Sequence, residues 1–263
     1  MKIAILGAGA FGTALGGVLA DKGYDIDYYD SRLERENLSE VLKNADYIVL
    51  AVPSSVAPYL LPHLPVEKPL IIATKGFLDD HNFKNFLDYM VLSGPGFAAD
   101  IKEGKKTHLT ATDERVIQLF TTDFLTFDFT TDSKGVMMCG ALKNIYAILA
   151  GFLDLKPGTT LHEQYLTEVS EEMKAILSLN EAKPETVELS CGIGDLRLTC
   201  DTPSRNYEFG QILKNNPMAK PEKTVEGVTA LLKVKNKEIK VPETAKYLRE
   251  LIELSDDWRN VWG

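Results

Sequence analysis

Two kinds of residue stand out by type and spacing: glycines able to cradle a phosphate, and cations set in apolar or glycine-rich surroundings. Gly7-Ala8-Gly9-Ala10-Phe11-Gly12 follows an apolar run and opens an amphipathic one. Glycines at this spacing permit a tight turn, close backbone approach to a pyrophosphate, and close helix–strand packing. The helix start adds N–H groups and a positive dipole end. Asp30 stands 18 residues beyond Gly12, at the end of the next strand. With strand, helix and acidic residue all in place, the motif reads as a dinucleotide fingerprint. Asp30 favours NAD by accepting hydrogen bonds from the ribose hydroxyls and repelling a 2′-phosphate. Arg32 is able to pair with that phosphate and keeps NADP open.

Cations come next. Met137–Ala150 reads MMCGALKNIYAILA, in which Gly140, Lys143, Ala147 and Ala150 share one helical stripe. A lone cation among small residues lets another body approach the backbone beside it, and burial suits a lysine to proton transfer. The competing account is a stem that snorkels to water. Lys75, in Ala73-Thr74-Lys75-Gly76, follows a buried strand and so sits at a strand's carboxyl end, where open α/β sheets bind ligands. Ser93-Gly94-Pro95-Gly96-Phe97-Ala98 is a glycine-rich turn after another strand, placed to offer N–H groups to the same crevice. Gly192-Ile193-Gly194-Asp195-Leu196 sets a carboxylate at a glycine-flanked turn. Ser204-Arg205-Asn206 sets a guanidinium and an amide at a helix start, a combination suited to phosphate.

The elements that must position these residues follow two patterns. Apolar runs at Lys2–Leu6, Ile26–Tyr29, Tyr47–Val52, Leu70–Ala73 and Tyr89–Leu92 alternate with amphipathic stretches such as Thr13–Lys22 and Leu33–Lys43. This is the pattern of a doubly wound α/β sheet, and His108–Ala111 and Phe124–Phe129 extend or edge it. After Thr131 strands give way to helices at Val136–Leu153, Leu161–Leu179, Arg205–Lys214, Val225–Val234 and Glu243–Leu254. The expectation is a Rossmann-type dinucleotide-binding domain over residues 1–131 and an all-α substrate and catalytic domain over 132–263.

Composition narrows the function. The 263 residues carry 29 Lys and Arg against 38 Asp and Glu, a net charge of −9. That excludes a nucleic-acid or anionic-membrane surface, so an anionic substrate needs a local cluster of cations. Cys139, Cys191 and Cys200 have neither disulfide nor zinc-ligand spacing, which points to the cytoplasm and to no metal. Glycines interrupt the apolar N-terminus, so it does not read as a signal peptide. Lys143 and Asn144 interrupt the longest apolar run, so no membrane span is expected.

GAGAFGTAL, AVPS, ATKG, SGPGFA, GALKNIYAI, GIGDLRLTC, SRNYEFG and TVEGV occur in this order within residues 5–228. The series resembles the bacterial type of NAD(P)-dependent glycerol-3-phosphate dehydrogenase. The resemblance implies interconversion of dihydroxyacetone phosphate and sn-glycerol 3-phosphate, a phospholipid precursor. It implies Lys143 as acid/base at the C2 oxygen, with Lys75, Asp195 and Thr199 lining the same site. Gly94, Gly96, Ser204, Arg205 and Asn206 would hold the phosphorylated substrate. Ala10, Phe11, Ala98, Glu226 and again Arg205 would contact the dinucleotide beside Gly7, Gly9 and Gly12. A homodimer stands as the expected assembly. Three features depart from the family pattern: a short segment, Ser31 to Ala45, after the second strand; Glu168 where the family tends to have a cation; and Gly96 in place of a polar residue. The alternatives are a reductase of another small anionic ketone and a catalytically silent NAD(P)-binding sensor.

Overall fold

The computed structural model describes residues 1–32, 37–79, 83, 85–201 and 204–255. The chain divides into two compact units, Met1–Ser133 and the part from Lys134 onward.

In the first unit β1 (Lys2–Leu6), β2 (Asp25–Tyr29), β3 (Tyr47–Leu50), β4 (Leu70–Ile72), β5 (Tyr89–Ser93), β6 (Thr107–Ala111) and β7 (Leu125–Phe129) form one sheet. The spatial order is β2-β1-β3-β4-β5-β6-β7. β1 to β5 are parallel, with Ile3 opposite Ile26 on one side and Tyr47 on the other. β6 turns antiparallel to β5, and β7 runs parallel to β6. Alternate residues Ile3, Ile5, Val49, Ile71, Met90 and Leu92 face one core. There they pack against Leu15, Val18 and Leu19 of α1 (Ala10–Asp21), Ile101 of α4 (Ala98–Lys102) and Val116 and Phe120 of α5 (Glu114–Phe120). Two short helices complete the unit, α2 (Leu38–Lys43) and α3 (Ala57–Leu60). Asn37 caps α2 by accepting from the Ser39 N–H. The start of the expected Leu33–Lys43 helix, residues 33–36, lies outside the described residues. Strand order reverses at β1, whose neighbours β2 and β3 lie on opposite sides. Ligands of open α/β sheets bind outside the carboxyl ends at such a point.

The second unit is helical: α6 (Ser133–Phe152), α7 (Thr160–Leu179), α8 (Asp195–Asp201), α9 (Arg205–Asn215), α10 (Glu226–Lys235) and α11 (Lys246–Leu254). Among the described residues α6 alone has the length and apolarity to cross a membrane, and nearly all of it is buried as a core helix. Close backbone contact with α6 occurs along Asn144, Ile148 and Gly151. A Cβ on Gly210 of α9 would overlap the Ile148 carbonyl, one on Gly227 of α10 the Asn144 carbonyl, and one on Gly151 the Tyr207 carbonyl. Gly151 on α6 itself and Gly210 and Gly227 on the neighbouring helices set the approach.

The structure corrects the reading of Gly192–Leu196, which is no turn. Ser190–Gly194 forms a π-helical segment that runs straight into α8, so Asp195 opens a helix. Glu168 likewise has a structural use: its carboxylate accepts from the Tyr247 hydroxyl (2.7 Å) and the Gln164 amide (2.9 Å). One turn on, Glu172 accepts from the Tyr146 hydroxyl (3.0 Å) and the Tyr247 N–H (2.7 Å). These two carboxylates fasten the start of α11 to α7.

Candidate active site

The glycine loop after β1 divides its labour in the way the spacing predicts. Gly7 has φ of 108°, its N–H donates to the Tyr29 carbonyl (2.7 Å), and a Cβ there would sit 2.7 Å from the Ala51 carbonyl. A Cβ on Gly12 would overlap the Gly7 carbonyl, so that glycine serves helix–strand packing. Gly9 is different: a Cβ there would meet nothing within 4 Å. Gly9 is also the N-cap of α1 and provides no side-chain cap. An open space in front of an uncapped helix start that begins at Ala10 and Phe11 fits an anionic pyrophosphate. The residues present therefore fit the dinucleotide that the motif implies.

Asp30 is at the carboxyl end of β2 as expected, but not as an open acceptor. Its Oδ2 accepts from the Ala8 N–H (3.0 Å) and from Arg32 Nη2 (2.6 Å), and its Oδ1 accepts from Arg32 Nε (2.7 Å). The guanidinium beside Asp30 holds its carboxyl down at about 2, against the opposing effect of burial. Sequence spacing placed the two residues as rivals for the ribose; the fold pairs them.

Lys75 follows β4 at the same edge of the sheet. Its Nζ donates to the Gly94 carbonyl (2.7 Å) and lies 5.1 Å from the centroid of the Phe11 ring. The Gly94 turn thus presents a carbonyl to this lysine. Gly94 has φ of 141°, and a Cβ would lie 2.9 Å from Leu109 Cα, so only glycine serves there. Gly96 is buried against Ile101 and Leu109, each 3.3 Å from where its Cβ would be, which accounts for the missing polar side chain. Ala98 begins α4 just beyond. Thr74, not singled out from sequence, anchors Lys75: its hydroxyl donates to the Val52 carbonyl (2.8 Å) and ties the end of β4 to the loop after β3.

In the helical unit Lys143 is the buried cation its pattern allowed, and it does not snorkel. Its side chain is 7% exposed and that of its partner Asp195 is 1% exposed. Nζ donates to Asp195 Oδ1 (2.7 Å) and to the Thr199 hydroxyl (3.0 Å). Thr199 is one turn after Asp195 on α8 and donates in turn to the Asp195 carbonyl (2.6 Å). An ammonium has three protons. Two of the Lys143 protons are committed, and the third has no partner among the described residues.

The start of α9 carries one open group and one fastened group. Ser204 caps α9, accepting from the Tyr207 N–H (3.2 Å). Arg205 is exposed, and its guanidinium donates to the Thr224 carbonyl (3.2 Å). Asn206 is buried: its Nδ2 donates to Asn144 (2.9 Å) and its Oδ1 accepts from the Gly227 N–H (3.0 Å). Asn144, missed from sequence, is the hub of this set and also donates to the Gly140 carbonyl (3.0 Å). Its position beside Lys143 was the available signal. Glu226 opens α10 beside Gly227.

Comparison with known proteins identifies the family. The model of the NAD-dependent glycerol-3-phosphate dehydrogenase N-terminus matches residues 29–116, and that of the C-terminus matches residues 132–255. A glycerol-3-phosphate dehydrogenase [NAD(P)+] of Leptospira biflexa is 32% identical over 90% of this chain and 87% of its own. One from Pseudomonas entomophila is 31% identical over 91% of this chain and 86% of its own. The crystal structure of glycerol-3-phosphate dehydrogenase from Coxiella burnetii superposes with a TM-score of 0.79 at 26% identity, covering 96% of this chain and 94% of that one. The chain belongs to the NAD-dependent glycerol-3-phosphate dehydrogenase family.

Proposed function

We propose that this chain interconverts dihydroxyacetone phosphate and sn-glycerol 3-phosphate with NAD(P)H, supplying a precursor of glycerophospholipids in the cytoplasm. The observation that carries the reading is the buried Lys143 ammonium, with two protons fixed by Asp195 and Thr199 and one left to meet a substrate oxygen. Gly7, Gly9 and Gly12, the α1 start at Ala10 and Phe11, and Asp30 and Arg32 would hold the dinucleotide, with Ala98, Arg205 and Glu226 completing its contacts. When bound, the nicotinamide supplies hydride to C2 of the ketone.

As C2 is reduced, negative charge builds on its oxygen. Lys143 gives its third proton to that oxygen, while Asp195 and Thr199 keep Nζ from rotating away. In the oxidising direction the same nitrogen takes the proton back, and positioned proton transfer of this kind is worth roughly 10²–10⁴ in rate. For Lys75, held by the Gly94 carbonyl and the Phe11 ring, the family resemblance implies a second positive charge that would stabilise the developing oxyanion. Arg205 takes the substrate phosphate in a paired hydrogen bond, and Ser204 and Asn206 hold the helix start that aims it. Gly94 and Gly96 shape the turn beside the substrate.

The test is to incubate the purified chain with NADH and dihydroxyacetone phosphate and to identify the product by NMR and by a stereospecific sn-glycerol 3-phosphate assay. Formation of the sn-3 isomer is expected. Stoichiometric NADH consumption only with a different ketone would contradict the substrate assignment.

A further inference from the structure

α8 holds Lys143 from one side and is itself held from the other. Asp195 and Thr199, four residues apart, share the face that meets the Lys143 Nζ. Arg197 and Asp201, also four apart, lie about 200° round the helix from them, where they meet the first turn of α7. On the exposed side the Arg197 guanidinium donates to both carboxylate oxygens of Glu163 (2.8 and 2.7 Å). On the buried side His162 Nε2 stands 3.5 Å from Asp201 Oδ1. Two longer approaches close the set into a ring: 4.0 Å from His162 Nδ1 to Glu163 Oε1, and 4.0 Å from Arg197 Nη1 to Asp201 Oδ2.

His162 is fully buried, and neither of its ring nitrogens has a hydrogen-bond partner among the described residues; the same holds for Asp201 Oδ1. Buried polar atoms left unpaired are costly, and here each nitrogen faces a carboxylate. A neutral imidazole has a proton for one of them and turns a lone pair on the other, whereas an imidazolium has a proton for both. In that form the four side chains alternate in sign, two from α7 and two from α8, and each charge sits between two opposite ones. The Asp201 charge also reaches towards the site. Burial pushes the adjacent Cys200 thiol up to about 12, the Asp201 charge adds to that, and Lys143 opposes it.

We propose that His162 is a positioning residue for Lys143: as an imidazolium it completes the charge ring that fixes α8 on α7, and so keeps Asp195 and Thr199 on Nζ. Asp201 is its partner, and Glu163 and Arg197 are the other charges of the ring. Loss of the ring proton leaves the exposed Arg197–Glu163 pair as the remaining ionic tie between the two helices within this set, and exposed pairs are worth little. This rests on the reading of Lys143 as the proton donor.

The experiment measures kcat for NADH-linked reduction of dihydroxyacetone phosphate by wild type and His162→Gln over roughly pH 5–8, where histidine side chains change charge. Dividing one rate by the other cancels the titration of Lys143, which is common to both. The ratio should be roughly 10–100 at the acid end, the scale for misplacing a reacting group, and should fall towards one as pH rises. KM for the ketone and NADH binding by fluorescence should change little. Asp201→Asn, of the same size, should lose kcat to the same degree, and the double variant should be no worse than either single one. A ratio within about twofold of one at every pH, with only the melting temperature lowered, would reduce His162 to a structural role and overturn the proposal. A large ratio that does not move with pH, or single losses that multiply in the double variant, would overturn the imidazolium ring. If wild type does not reduce dihydroxyacetone phosphate, the Lys143 reading fails, and the ring is read without substrate by hydrogen exchange. The α8 amides should then lose protection in His162→Gln at the acid end, and unchanged protection would overturn the ring as well.

Discussion

Asp195→Ala cuts the interaction on which the proposed chemistry depends. The Lys143 and Asp195 side chains are 7% and 1% exposed and meet at 2.7 Å, so the substitution leaves a buried ammonium facing only Thr199. Removing one partner of a buried pair costs about 3–5 kcal/mol, because the other charge is stranded away from water. At roughly 3 °C per kcal/mol, the midpoint of thermal unfolding should fall by about 10–15 °C. Turnover should drop by about 10²–10⁴, the worth of a positioned proton donor. Stability and chemistry are separated by the double variant Lys143→Met with Asp195→Ala. Taking both charges out of a buried site is often close to neutral, so its midpoint should return to within a few degrees of wild type while turnover stays lost. Circular dichroism melts and NADH-linked rates on the three proteins decide the matter. An Asp195→Ala protein that melts within about 2 °C of wild type and keeps a third of its turnover refutes the reasoning, because the pair would then be neither buried nor needed.

Other substitutions test the rest of the site. Gly9→Ala should leave the melting temperature unchanged, since its Cβ meets nothing within 4 Å, yet weaken NADH binding by fluorescence. Gly12→Ala should lower the melting temperature, because its Cβ overlaps the Gly7 carbonyl, and overpacking costs about 1–3 kcal/mol. Arg205→Ala should weaken use of dihydroxyacetone phosphate by about 1.5–3 kcal/mol and leave the phosphate-free ketone dihydroxyacetone unaffected; equal impairment of both would assign Arg205 to structure or cofactor. Burial raises the Glu172 carboxyl above its ordinary value of 4.5, so folding favours its protonated form. Denaturant unfolding should therefore show wild type gaining stability relative to Glu172→Gln as pH falls through the folded value, and levelling off below 4.5.

What the sequence disclosed depended on the range of the interaction. All seven strands were legible among the described residues: β1, β3, β4 and β5 as buried apolar runs, and β2, β6 and β7 as shorter or alternating ones. The longer helices were legible from three- and four-residue spacing. α4 and α5 were not, because five or seven residues are too few for that period to show. Gly192–Gly194 read as a turn because glycines usually break helices, yet here Gly192 lets the π-helical segment press onto the Val187 carbonyl. At the site, the glycine loop was legible because its chemistry is local. Lys143 with Asp195 and Thr199 is a contact across more than 50 residues, and the family motifs flagged the residues without their geometry. The Asp30–Arg32 pair was hidden for another reason: spacing shows that two side chains are near, not that one grips both carboxylate oxygens of the other. Asn144 was passed over because an amide inside an apolar helix gives no sign of reaching Asn206 on another.

In the proposed reaction the Lys143 ammonium protonates the C2 oxygen of a phosphorylated ketone. Its most direct test is the initial rate of NADH oxidation with dihydroxyacetone phosphate and with dihydroxyacetone, for wild type and Lys143→Ala. Wild type should use the phosphorylated ketone at a kcat/KM at least about tenfold above the phosphate-free one, and Lys143→Ala should lose about 10²–10⁴ in rate with NADH binding nearly intact. Turnover in Lys143→Ala at a third of the wild-type rate would contradict it.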